Sequence, residues 1–89
     1  MLVIHKFKLE LTDRQVITFK SMYKPLSVIE QHGDIMLYCQ VSTFESSVAG
    51  RDLVVYIVGT GHSLPVGDVK FIGTVKVGTY VWHVYVDMP

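Results

Sequence analysis

The sequence predicts an all-β protein, a small antiparallel sandwich or barrel of about seven strands. Three observations carry this. Nearly every segment alternates apolar and polar residues with period two. β-Branched and aromatic residues are abundant. Glycine, proline and small polar residues punctuate the chain at short intervals, and no segment sustains the apolar period of an amphipathic helix.

Each element follows in order. Val3, Phe7, Leu9 and Leu11 alternate with Lys6, Lys8 and Glu10, which predicts a half-buried first strand. "LTDRQ" turns the chain at Thr12 and Asp13. "VITF" is a short second strand, because four bulky residues in succession favour extended backbone over a helical turn. "KSMYKP" is an irregular connection in which Pro25 keeps Lys24 extended. "LSVIEQHGDIMLYCQVS" is the clearest hairpin, with His32-Gly33 at its tip and Gly33 supplying a positive φ. "TFESSVAGRD" is small and polar and predicts a flexible loop. "LVVYIVG" is continuously apolar and predicts a central strand covered on both faces. "HSLPVGD" is a loop, and "VKFIGTVKV" and "TYVWHVYV" are two last strands joined around Gly78. The expected core is Phe7, Leu9, Leu37, Val55, Ile57, Phe71, Trp82 and Val84, with Tyr80 beside Trp82 on the inner face and His83 and Tyr85 on the outer.

Composition bounds the rest. Eighty-nine residues make one domain, 1–89. Hydrophobic residues are 49% and charged residues 18%, enough for a core and an excess that favours a homo-oligomer or another partner over bare apolar surface. Lys plus Arg and Asp plus Glu are eight each, so no electrostatic footprint points to a nucleic-acid polymer or an anionic membrane. The start, "MLVIHKFKLEL", is too interrupted by His5, Lys6 and Lys8 for a signal peptide or a span, which predicts a cytosolic protein. The single cysteine, Cys39, excludes an intramolecular disulfide and falls in the apolar alternation as a small buried hydrophobe.

Motifs with chemistry are few. "YIVGTGHSLP", from Tyr56 to Pro65, has the glycines of a phosphate loop. It lacks the Lys-Ser/Thr of a Walker loop, the third glycine of the dinucleotide fingerprint and a helix after either. Gly59, Thr60, Gly61, His62 and Ser63 remain as a strand-end loop that presents donors to a ligand or partner, against the plainer reading of a glycine bulge with a solvated His62. Arg51, in the flexible loop, is placed to close over such a ligand, and Arg14 is the only other arginine. His83 and Tyr85 supply a stacking or interface surface. The four histidines have no metal-ligand spacing, although His5 and His83 would meet if the first and last strands paired. Ser63 lacks the Gly-x-Ser-x-Gly elbow. No catalytic residue, metal site or cofactor is assigned, and the chain is read as a non-enzyme.

The segments "IHKFKLEL", "QVITF", "KPLSVIEQHG", "GTGHSLP", "FIGT" and "VWHVYV", in that order, resemble a small uncharacterised family encoded by tailed bacteriophages. The resemblance covers most of the chain and varies in "STFESSVAGRD". It implies a phage origin and an all-β fold, and it transfers no active-site residues. With that origin, the expected role is an accessory protein in the host cytoplasm. It would counteract antiviral defence by stoichiometric binding to a host defence protein, as an anti-CRISPR-like or similar inhibitor. Two alternatives are an oligomeric sponge for a signalling nucleotide and a minor virion protein.

Overall fold

In the computed structural model, which describes residues 1–43 and 51–88, seven strands form two antiparallel sheets. They are β1 (Leu2–Leu9), β2 (Arg14–Phe19), β3 (Tyr23–Gln31), β4 (Asp34–Ser42), β5 (Arg51–Gly59), β6 (Val69–Val77) and β7 (Tyr80–Asp87). A three-stranded sheet has the order β1-β4-β3 and a four-stranded sheet the order β2-β5-β7-β6. The expected sandwich is therefore the architecture found.

Period-two alternation builds the core. Along β4, Ile35, Leu37, Cys39 and Val41 are buried while their neighbours are half-exposed. Leu53, Val55 and Ile57 of β5 and Val84 and Val86 of β7 face them from the other sheet. Phe19 packs edge-on against Phe7 at 5.1 Å between centroids and stacks on Tyr23 at 4.1 Å, closing one flank.

Two hairpin turns obey their residue chemistry. His32 and Gly33 both take positive φ, 54° and 86°, as a type I′ turn requires between β3 and β4. Gly78, at φ 61°, takes the first central position of the two-residue turn between β6 and β7. The corner between β1 and β2 is held by a side chain. The Glu10 N–H donates to Gln15 Oε1 at 2.9 Å, and Gln15 Nε2 donates back to the Glu10 carbonyl at 2.7 Å.

Several expectations are corrected. Phe71 is not core: it is 51% exposed. The ladder between β6 and β7 slips by one residue between Phe71 and Gly73, so the residues before the bulge lie on the opposite face from simple alternation. Tyr80, the first residue of β7, is 68% exposed and lies tilted beside the Trp82 ring at 6.1 Å between centroids, whereas Trp82 packs against the core. Leu11 is 60% exposed, since β1 ends at Leu9. β5 is internal to its sheet, but on its outer side Val54 and Tyr56 are only half-buried. The connection before β3 is shorter than "KSMYKP", because Tyr23 to Pro25 already belong to the strand. Pro25 sits at a bulge in an edge strand, where its missing N–H is tolerated. His5 and His83 lie in different sheets and do not meet through strand pairing. The flexible-loop expectation for "TFESSVAGRD" falls largely on residues 44–50, outside the described residues. Arg51 and Asp52 are instead the first two residues of β5.

Candidate functional site

The four-stranded sheet leaves its outer face uncovered by the other sheet. Register sets what that face carries. Arg14 of β2 is opposite Tyr56 of β5, Tyr56 is opposite Tyr85 of β7, and Tyr85 is opposite Phe71 of β6. One cation and three aromatic rings therefore form a single row across all four strands. Phe71 and Tyr85 meet edge-on at 5.3 Å. Beside this row, Val16 is opposite Val54. The β6 bulge that expels Phe71 from the core is what completes the row.

On the other side of the row, Val58 is opposite His83, and His83 is opposite Thr74. His83 Nε2 is 2.9 Å from Thr60 Oγ1 and His83 Nδ1 is 2.9 Å from Thr74 Oγ1. One imidazole thus ties the loop after β5 to β6 and β7. "GTGHSLP", "FIGT" and "VWHVYV" each supply one member of this unit, the last two from the neighbouring strands of one hairpin. It has the form of hydroxyl, imidazole and orienting group. It lacks a charged third member: a threonine hydroxyl supplies no negative charge to stabilise an imidazolium. A clasp that fixes the loop is the chemistry it supports.

The loop itself is a tight turn. The His62 N–H donates to the Gly59 carbonyl at 3.0 Å, and Gly61 takes φ 87° between them. The turn spends the His62 amide internally and removes it from any anion cradle. At Gly59 a Cβ would lie 2.9 Å from His62 Nδ1 and 3.3 Å from the Trp82 ring, so the absence of a side chain lets His62 seat against the strand end.

Beyond the start of β2 lies a cleft of about 470 Å³. It is lined by Asp13 and Arg14 on one side, by Tyr56 to Val58 at the end of β5, and by His62 to Val66. Of the residues singled out from sequence, the structure thus groups Gly59, Thr60, Gly61, His62 and Ser63 with His83, and sets Tyr85 in the adjacent row. Arg51 does not join them. It opens β5 while Gly59 closes it, which separates their Cα atoms by roughly 26 Å at the rise of a strand. Arg14 is the cation beside the loop. It was hidden in sequence because 42 residues separate it from Tyr56, its partner in the ladder.

Electrostatics adds little. Burial pushes the Cys39 thiol up to about 11 from the ordinary 9.0. Burial also raises Tyr23, with Arg51 pulling it the other way. Among the described residues no group of three or more His, Cys, Asp or Glu side chains could hold a metal ion, and no helix is long and apolar enough to cross a membrane.

What fold and site define together is a small β-sandwich with an aromatic sheet face and a loop clasped beside it. The chain belongs to the DUF7352 family, a domain of unknown function, whose model matches residues 1–89. No curated protein and no solved structure matched the chain.

Proposed function

We propose that the chain is a non-catalytic binding protein that engages a partner protein stoichiometrically through the outer face of its four-stranded sheet. The observation that carries this reading is the row of Arg14, Tyr56, Tyr85 and Phe71. Tyrosine, phenylalanine and arginine are enriched at the cores of protein interfaces, where aromatic and arginine anchors contribute most of the energy.

The opposite face of the sandwich differs. There Lys6 donates to Gln31 at 3.4 Å, Tyr38 donates to the same Gln31 oxygen at 3.3 Å, and Lys8 pairs with Asp34 at 3.7 Å. Charged and amide groups satisfy one another towards the β3–β4 hairpin end of that face, while Leu2, Ile4 and Ile29 are exposed elsewhere on the sheet without an aromatic row. On the four-stranded sheet the charged residues Arg14, Arg51, Asp52, Lys70, Lys76 and Asp87 stand at or next to strand ends or on edge strands, around a centre of Val54, Tyr56, Tyr85 and the hydrogen-bonded His83.

The resemblance to a phage-encoded family supports a setting in the cytoplasm of an infected host. The partner there is a component of antiviral defence, blocked by occupancy rather than by chemistry. Native mass spectrometry of the protein purified from cells with an active defence system tests this. A complex of one protein copy per partner copy supports the reading, and a protein found only in assembled particles contradicts it.

A further inference from the structure

We infer that the cleft beside β2 binds a small phosphorylated molecule with a flat ring body, of the size of a nucleoside monophosphate. The cleft shares Arg14 and Tyr56 with the row proposed for a partner protein but is not lined by Tyr85 or Phe71, and the inference does not depend on that reading.

Size comes first. At about 470 Å³ the cleft falls within the roughly 300–1,000 Å³ typical of small-molecule sites and exceeds what a bare oxyanion needs. Its donors come next. The Arg14 guanidinium makes no ion pair or hydrogen bond among the described residues, so its five N–H groups are available. A guanidinium matches a phosphate in bidentate fashion, which a lysine would not do. His62 and Ser63 line the same cleft across from it. The glycine turn is not the cradle, because Gly59, Thr60 and Gly61 do not line the cleft and the His62 amide is committed to Gly59. The phosphate therefore falls to side chains, with Arg14 as the anchor.

The remaining walls suit a ring with polar edges. Tyr56 offers an aromatic surface at one end, and Leu64, Pro65 and Val66 offer apolar contact from the loop. Asp13, beside Arg14, supplies a carboxylate that accepts from a hydroxyl or an exocyclic amine and would repel a second phosphate. One cation and one anion in a single cleft select a ligand with one phosphate and neighbouring donors.

Nuclear magnetic resonance titration tests this, with adenosine 5′-monophosphate, adenosine and inorganic phosphate as separate probes. The monophosphate is expected to give saturable shifts at Tyr56, His62 and Ser63. Adenosine and inorganic phosphate should each bind at least about tenfold more weakly. Arg14→Gln should weaken the monophosphate about tenfold or more with an unchanged melting temperature, and His62→Gln should weaken it without abolishing it. Phe71→Ser/Tyr85→Ser should leave it unaffected. Absence of saturable shifts at millimolar monophosphate, equal binding of adenosine or of inorganic phosphate, or an unchanged affinity in Arg14→Gln would each overturn the assignment.

Discussion

A methyl group placed on Gly73 would lie 2.8 Å from Cγ2 of Val28. The two residues belong to different sheets, so this glycine sets how closely β6 approaches β3 where the sandwich is shut. Gly73→Ala should destabilise the fold by about 1–3 kcal/mol, the usual result of forcing an extra carbon into a packed core. Val28→Ala costs stability alone through its cavity. Combined with Gly73→Ala it should cost less than the sum, because each change relieves the other. Chemical denaturation of the two single variants and the double variant reads this coupling, and strict additivity would contradict it.

His32 pays for its position with a left-handed backbone at φ 54°. Asparagine tolerates that conformation better than histidine, and Asn-Gly is a favoured type I′ pair. His32→Asn should therefore stabilise the protein by roughly 0.5–1 kcal/mol. For a domain this small, that is a rise of several degrees, about 2–8 °C, in melting temperature. A fall would show that the His32 side chain makes a contribution its backbone conformation conceals.

The Thr60–His83–Thr74 unit should behave as a clasp. Thr60→Val and Thr74→Val should each lower stability by about 0.5–1.5 kcal/mol, the net worth of one hydrogen bond. Hydrolysis of activated esters should not exceed the buffer rate in the parent protein. A measurable rate abolished by Thr60→Val would instead make the hydroxyl a nucleophile.

Cys39 should be inert in the native state. Its folded value of about 11 stands above its ordinary 9.0, so the folded protein holds the thiol proton more tightly than the unfolded chain does. The stability from this neutral thiol is complete below pH 9.0 and is lost as pH rises from there to about 11. Alkylation at pH 8 should follow the rate of global opening, and Cys39→Ala should flatten the alkaline loss of stability.

Particular residues show what was legible from sequence. The β4 alternation of Ile35, Leu37, Cys39 and Val41 depends only on period two, and it is realised in the core. The His32-Gly33 turn was readable because its chemistry is local. Phe71 was misplaced because a bulge inverts the alternation, and the one-residue slip against Tyr85 and Val84 leaves no mark in β6 alone. Arg51 was misassigned to a loop, although its own sequence continues into the apolar run of β5. Arg14 and the aromatic row were invisible because strand order, not sequence distance, brings four strands together. Half of the histidine clasp is local, since Thr74 and His83 face each other across the β6–β7 hairpin, and only Thr60 is brought in by the pairing of β5 with β7.

The central claim is that the outer face of the four-stranded sheet is the binding surface. It is tested most directly by the affinity for a captured partner of three forms: the parent protein, Phe71→Ser/Tyr85→Ser on that face, and Leu2→Ser/Ile4→Ser on the opposite sheet. Both residue pairs include exposed side chains outside the buried core. Loss of two interface aromatics should weaken binding at least about tenfold, given the share that such anchors carry. The control on the opposite sheet should bind as the parent does. Unchanged affinity in Phe71→Ser/Tyr85→Ser, or an equal loss in the control, would contradict the account.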